Sequence, residues 1–249
     1  MNKIIQSKLR EIEKAENVKI ILAIESGSRA WGFESKDSDY DVRFLYVRTQ
    51  ESYLKLEGIR DVIEWQLDDV LDINGWDIQK ALKLLYKSNP TLFEWCTSPI
   101  VYAETSEAME LKRVIENYFS TKKALFHYWN MANTNYREYL KGQKVKAKKY
   151  FYVLRPILAS KWITNYNTIP PIEFDQLVAS VLDNNLKPVV NELLNQKKNT
   201  NELDLIDKID VLNNYIENEL IELEKVAQGT LDKKDNEWEP LNRFFLSLL

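Results

Sequence analysis

IILAIESGSRAWGFESKDSDYDVRFLY, residues 20–46, joins two apolar runs through a Gly-Ser pair and two aspartates separated by one residue. Val18 to Ile24 is short, rich in β-branched residues and broken only by Lys19, which predicts a buried strand. Ser26 to Gly32 predicts a turn leading into at most a short helix. Asp41 to Val47 returns to a strand, with Val42, Phe44 and Tyr46 opposed by Arg43, Leu45 and Val47. A turn directly after a strand can converge unpaired backbone N–H groups on an anion. Gly27 lets the backbone approach a phosphate there, and Ser28 adds a hydroxyl donor. Asp39 and Asp41 project from one face at the start of a strand, so they can hold one or two divalent cations against triphosphate oxygens. Taken singly, the halves are an ordinary turn and a solvated acidic loop. Together they set a phosphate cradle and metal-binding carboxylates in one βαβ-like unit.

Composition bounds the chemistry. With 249 residues, 45% of them hydrophobic and 29% charged, the chain can bury a full core in one large domain or two small ones. It has no run of about 18 apolar residues, and MNKIIQSKLREIEKAE lacks a signal peptide's apolar centre, so the expected compartment is the cytoplasm. Cys96 is the only cysteine and His127 the only histidine. That excludes an intrachain disulfide framework and a Cys/His zinc site, so any metal is held by oxygen, which points to magnesium or manganese. The net charge of -4 is unevenly placed. Between Tyr139 and Ile172 there is no acid, while Lys141, Lys144, Lys146, Lys148, Lys149, Arg155 and Lys161 fall inside; from Asn201 to Glu239 acids predominate. A local basic patch is a candidate for phosphate contact whatever the total charge.

Along the chain, Lys3 to Glu16 has helical spacing, and Asp61 to Trp65 and Val70 to Trp76 look extended. Asp77 can cap the helix DIQKALKLLYKS, and TLFEWC is a further helical turn. From Thr105 the pattern is helical alone: 106–119, 121–140, 145–165, 173–180, 187–198 and 202–228, with an apolar RFFLSLL at the end. The expected class is α+β, with a small mixed sheet and helices over 1–104 and a helical domain over 105–249.

The blocks GSRAWGFESKDSDYDVRFLY, GWDIQKALKLLYKSNPTLFEW with SPIVY and, more loosely, KKYFYVLRPILASKWI resemble the DNA polymerase β-like nucleotidyltransferases. The resemblance is closer to their bacterial and phage YcgL-like group, described as an RNA-repair-pathway polymerase β family, and it reaches to about residue 165. It implies metal-dependent transfer of a nucleoside monophosphate from an NTP, and a third carboxylate on a neighbouring strand. Asp72, between Leu71 and Ile73, is the choice; Asp77 is the rival, although a capping role explains it, and Asp68 and Asp69 are adjacent acids just before the strand. The expected catalytic and metal set is thus Asp39, Asp41 and Asp72. The nucleotide-binding set is Gly27, Ser28 and Arg29, with Lys148 and Arg155 on a helical stripe shared with Lys144 and Tyr152. Ser38 can orient the metal site through its hydroxyl, and Trp31, Trp65 or Trp76 can stack on a base or sit in the core. His127 is expected to pack between helices. The expected acceptor is an RNA or tRNA end, met by the basic segment 141–161. A protein or small-molecule acceptor, or a nucleotide- or RNA-binding module without turnover, is the alternative.

Overall fold

The computed structural model describes residues 1–35, 38–68, 70–199, 205–232 and 236–249. Asp69, the side chain of Asp68 and the expected helix start at Glu202 lie outside them. The first elements are α1 (Asn2–Glu16), β1 (Val18–Glu25), α2 (Gly27–Ala30), β2 (Tyr40–Arg48), α3 (Gln50–Tyr53), β3 (Val62–Asp68) and β4 (Leu71–Asp77). Next come α4 (Ile78–Tyr86), α5 (Pro90–Cys96), β5 (Val101–Glu104), α6 (Ser106–Val114) and a 3-10 turn at Ile115–Tyr118. The rest comprises α7 (Thr121–Tyr139), β6 (Lys144–Lys146), α8 (Ala147–Tyr166), α9 (Phe174–Val181), α10 (Lys187–Asn199), β7 (Leu205–Asp207), α11 (Asp210–Gly229) and α12 (Glu239–Ser247). None of the helices among the described residues is long and apolar enough to cross a membrane.

Contacts divide this α+β chain into two compact units. The first holds Met1–Ala30, Asp39–Tyr118 and Lys234–Leu249, and the second Trp31–Ser38 and Phe119–Lys233. This partition differs from a single joint near residue 104, and packing explains each exchange. Phe33, fully buried, meets Phe151 and Phe174 at ring distances of 5.1 and 5.7 Å, so the loop after α2 belongs with the helices. Trp238 stacks on Tyr86 at 3.7 Å, Phe245 meets Tyr53 edge-on at 5.1 Å, and the Tyr118 hydroxyl donates to the Glu237 carbonyl, which binds α12 to the sheet unit.

In the first unit a five-stranded sheet runs in the order β3-β4-β2-β1-β5. Pairing is antiparallel except between β2 and β4, which run parallel. β1 and β2 therefore form an antiparallel pair, unlike the expected βαβ-like crossover. Helix α1 buries Ile5, Leu9 and Ile12 in a core with Val42, Phe44, Tyr46 and Ile73. That cluster uses alternate positions of β2, leaving Asp41 and Arg43 to the other face. Gly75 is the residue that Phe44 demands: a Cβ there would stand 2.1 Å from the phenyl ring.

The second unit is built around α8, whose Tyr150, Phe151, Leu154, Ile157 and Leu158 are fully buried. It is not helical alone. Lys144-Val145-Lys146 pairs antiparallel with β7, Val145 facing inward and Lys144 bonded to Asp207 at 2.9 Å. Lys144 therefore does not share a helix with Lys148, and the expected four-residue stripe loses its first member.

Candidate active site

The site is assembled where β1 ends and β2 and β4 begin. Leaving β1, the chain turns at Gly27 with φ of 63°, and a Cβ at that position would lie 2.1 Å from Asp41 Oδ2. Only glycine lets the turn and the carboxylate come so close. Backbone bonding laces them together, Ser26 N–H donating to the Asp41 carbonyl at 2.8 Å. Ser28, half-buried, sits in the single turn of α2. Arg29 donates from Nε to the Asp39 carbonyl at 3.1 Å and lays its guanidinium 3.7 Å over the Tyr40 ring. It thus ties the turn to the first residues of β2.

Parallel pairing sets Asp41 directly beside Asp72, with the side chains on one face. Between them lies Arg43: Nη2 donates to Asp41 Oδ1 at 3.0 Å and to Asp72 Oδ2 at 2.8 Å, while Nη1 donates to the Val42 and Asp72 carbonyls. Asp39 is exposed and close enough for its charge to act on Asp41. Burial pushes the Asp41 carboxyl above its ordinary value; Arg43 pulls it down, and Asp72 and Asp39 push it up. Among the described residues no three of His, Cys, Asp and Glu close into a metal cage. The donor chemistry nevertheless fits a hard divalent cation, because two carboxylates stand side by side with a guanidinium charge already drawn between them.

Asp77 is elsewhere. It pairs with Tyr46, five residues further along both strands, and is 3% exposed. Its Oδ1 accepts the Gln79 N–H at 2.8 Å as the cap of α4, and Oδ2 accepts the Tyr53 hydroxyl at 2.9 Å.

The remaining candidates lie in the helical unit or in cores. Ser38, 4% exposed, uses its hydroxyl to accept the Ser35 N–H at 2.9 Å and so closes the loop before Asp39. Lys148 is half-buried on α8. Arg155 is 2% exposed, donates from Nε to the Ile172 carbonyl and stacks 4.6 Å over Trp31, so it is a packed residue and not part of an open stripe. Trp76 stacks on Trp95 at 3.9 Å, Trp65 packs against the sheet core, and His127 meets Tyr128 edge-on. Three lysines of the basic segment are matched by later acids: Lys141 bonds Glu217, Lys144 bonds Asp207 and Lys161 bonds Glu219.

Three residues at the site went unread in the sequence. Arg43 follows Asp41 by two positions, and strand alternation alone would have put both on one face. Glu25, fully buried, breaks the apolar run IILAI just before the turn, and an acid closing a buried strand is itself a signal. Its Oε1 accepts the Asp41 N–H at 2.8 Å and its Oε2 the hydroxyl of the third residue, Tyr102, at the far edge of the sheet.

The crystal structure of a nucleotidyltransferase-like protein from Exiguobacterium sibiricum 255-15 aligns over 90% of this chain and 74% of that one, with a TM-score of 0.32 and 15% identity. The protein YcgL of Bacillus subtilis (strain 168) is 46% identical over 249 residues, covering 99% of this chain and 96% of YcgL. Residues 1–247 match the family described as the RNA repair pathway DNA polymerase beta family. The chain therefore belongs to that family and is a polymerase β-like nucleotidyltransferase.

Proposed function

We propose that the protein transfers a nucleoside monophosphate from an NTP to the terminal hydroxyl of an RNA, tRNA included, with release of pyrophosphate. Asp39, Asp41 and Asp72 are the residues that would hold divalent cations, magnesium or manganese. The observation that carries the reading is the side-by-side placement of Asp41 and Asp72 against the Gly27 turn. RNA as acceptor rests on the family's description. The basic segment adds little to it, since Lys141, Lys144 and Lys161 are matched by acids of the same unit.

In this mechanism Gly27 and Ser28 donate from the backbone and the hydroxyl to the triphosphate, and Arg29 keeps that turn beside Asp39. A divalent cation held by these carboxylates would neutralise phosphate charge and lower the pKa of the attacking hydroxyl. Asp72, with half its side chain exposed, takes the hydroxyl proton. The acceptor oxygen bonds to the α-phosphorus as the bond to the β-phosphate oxygen breaks, and pyrophosphate leaves with that electron pair. Arg43, which donates to both carboxylates, would compete with a cation for their oxygens.

The test is label transfer from each α-labelled NTP to RNA with magnesium or manganese, beside protein and small-molecule acceptors. Labelled RNA with the parent and none with Asp41→Asn is the expected result. Label on protein or a small molecule alone would displace RNA as acceptor.

A further inference from the structure

We infer that Glu25 is a positioning residue of the transfer reaction, holding Asp41 against the phosphate turn through its backbone. This rests on the proposed role of Asp41 as a metal-holding carboxylate.

The hydrogen bonds at the end of β1 carry the argument. The ladder between β1 and β2 ends at the pair Glu25 and Val42, and the chain then turns away at Gly27. One more cross-strand bond follows, from Ser26 N–H to the Asp41 carbonyl. The Asp41 N–H goes instead to a side chain, Glu25 Oε1, at 2.8 Å. Glu25 is itself held at every polar group: its N–H donates to the Ile100 carbonyl at 2.9 Å, its carbonyl accepts the Ser98 hydroxyl at 2.6 Å, and Oε2 accepts the Tyr102 hydroxyl. A fully buried carboxylate is a costly way to satisfy one N–H, and a carbonyl or hydroxyl would serve if satisfaction were all that mattered. Its placement explains the choice. Glu25 sits one residue before the cradle and bonds the residue that carries the carboxylate, so one rigid side chain spans both halves of the site.

Arg43 also holds Asp41, but it does so through the carboxylate oxygen that would face a cation. Glu25 acts from behind, on the backbone, so its hold does not depend on the Arg43 contact. Groups that orient metal ligands from behind typically contribute about 10- to 100-fold in metal affinity or activity.

The experiment measures Mn2+ binding without turnover, as loss of the free-ion EPR signal in the presence of a non-hydrolysable NTP analogue, alongside kcat, KM and thermal midpoint. Glu25→Ala is expected to weaken Mn2+ binding by about 10- to 100-fold. Glu25→Gln, whose amide oxygen still accepts the Asp41 N–H, is expected to restore binding to within about threefold of the parent. Folded Glu25→Ala with the parent's Mn2+ affinity overturns the inference. Where Glu25→Ala does not fold, Tyr102→Phe decides: it frees Oε2 while keeping the ring, and unchanged Mn2+ affinity overturns the inference equally. Asp41→Asn separates the two readings. If it too keeps full Mn2+ binding, the metal site itself is wrong; if it loses binding while Glu25→Ala keeps it, only the positioning role falls.

Discussion

Two aspartates of similar sequence context, Asp72 and Asp77, end in opposite chemistry because the parallel register of β2 and β4 gives one Asp41 as neighbour and the other Tyr46. Asp72→Asn is expected to lower kcat for nucleotidyl transfer by at least about 100-fold with little loss of stability, since its side chain is half exposed. Asp77→Asn is expected to keep transfer, because asparagine caps a helix as well as aspartate does. Its effect is on stability and has a sign. Burial raises the Asp77 carboxyl above its ordinary value, so its contribution is full below that ordinary value and is lost as pH rises through the folded one. Urea unfolding against pH should therefore show Asp77→Asn gaining on the parent from acid toward neutral pH. At Gly27 the constraint is steric. Gly27→Ala places a Cβ onto Asp41 Oδ2 in a left-handed backbone, and both nucleotide affinity and Mn2+ binding should fall together by equilibrium titration. These residue roles were legible in the sequence wherever strand alternation or a turn signal spoke for them. Arg43 and Glu25 were not read, because one is an unremarked cation in a strand and the other an acid whose partner, Tyr102, lies 77 residues away.

At the scale of elements, periodicity located α1, β1, β2, β4, α4, α5, α7 and α8 closely, because each carries a strong apolar pattern or a cap. It missed β5, β6 and β7, which are three or four residues long and depend on their partners for definition. The same limit misread α8 as carrying an open basic stripe. Its burial is nearly continuous, so the helix is central to the unit, and a cation on it can be a core residue. Arg155→Ala is expected to cost about 2–4 kcal/mol in urea unfolding, from the lost contact with Trp31 and the unpaired Ile172 carbonyl. An unchanged KM for NTP in Lys148→Ala would remove α8 from nucleotide binding.

For the whole molecule, the division into units decides what can be cut away. The chain passes between units after Ala30, Ser38, Tyr118 and Lys233, so neither unit is a continuous segment. A change from sheet to helix in the sequence marks a change of secondary structure near residue 104, whereas a unit is defined by what its side chains bury. Helix α6 follows the sheet in sequence yet buries Ala108 and Leu111 with it, and α12 returns from the far end to join α4. A fragment ending at Glu104 would thus expose the surfaces these helices cover. Cys96 reports on this directly. In the whole chain it is 2% exposed, with its thiol pushed up to about 12 by burial and Lys112 of α6 close enough for its charge to act on it. At pH 8 a thiol-specific disulfide reagent should therefore react with the native chain only as fast as it unfolds. The 1–104 fragment should react within seconds and show no cooperative thermal transition. Slow modification of the fragment, matching the whole chain, would mean that the first 104 residues fold without α6 and α12.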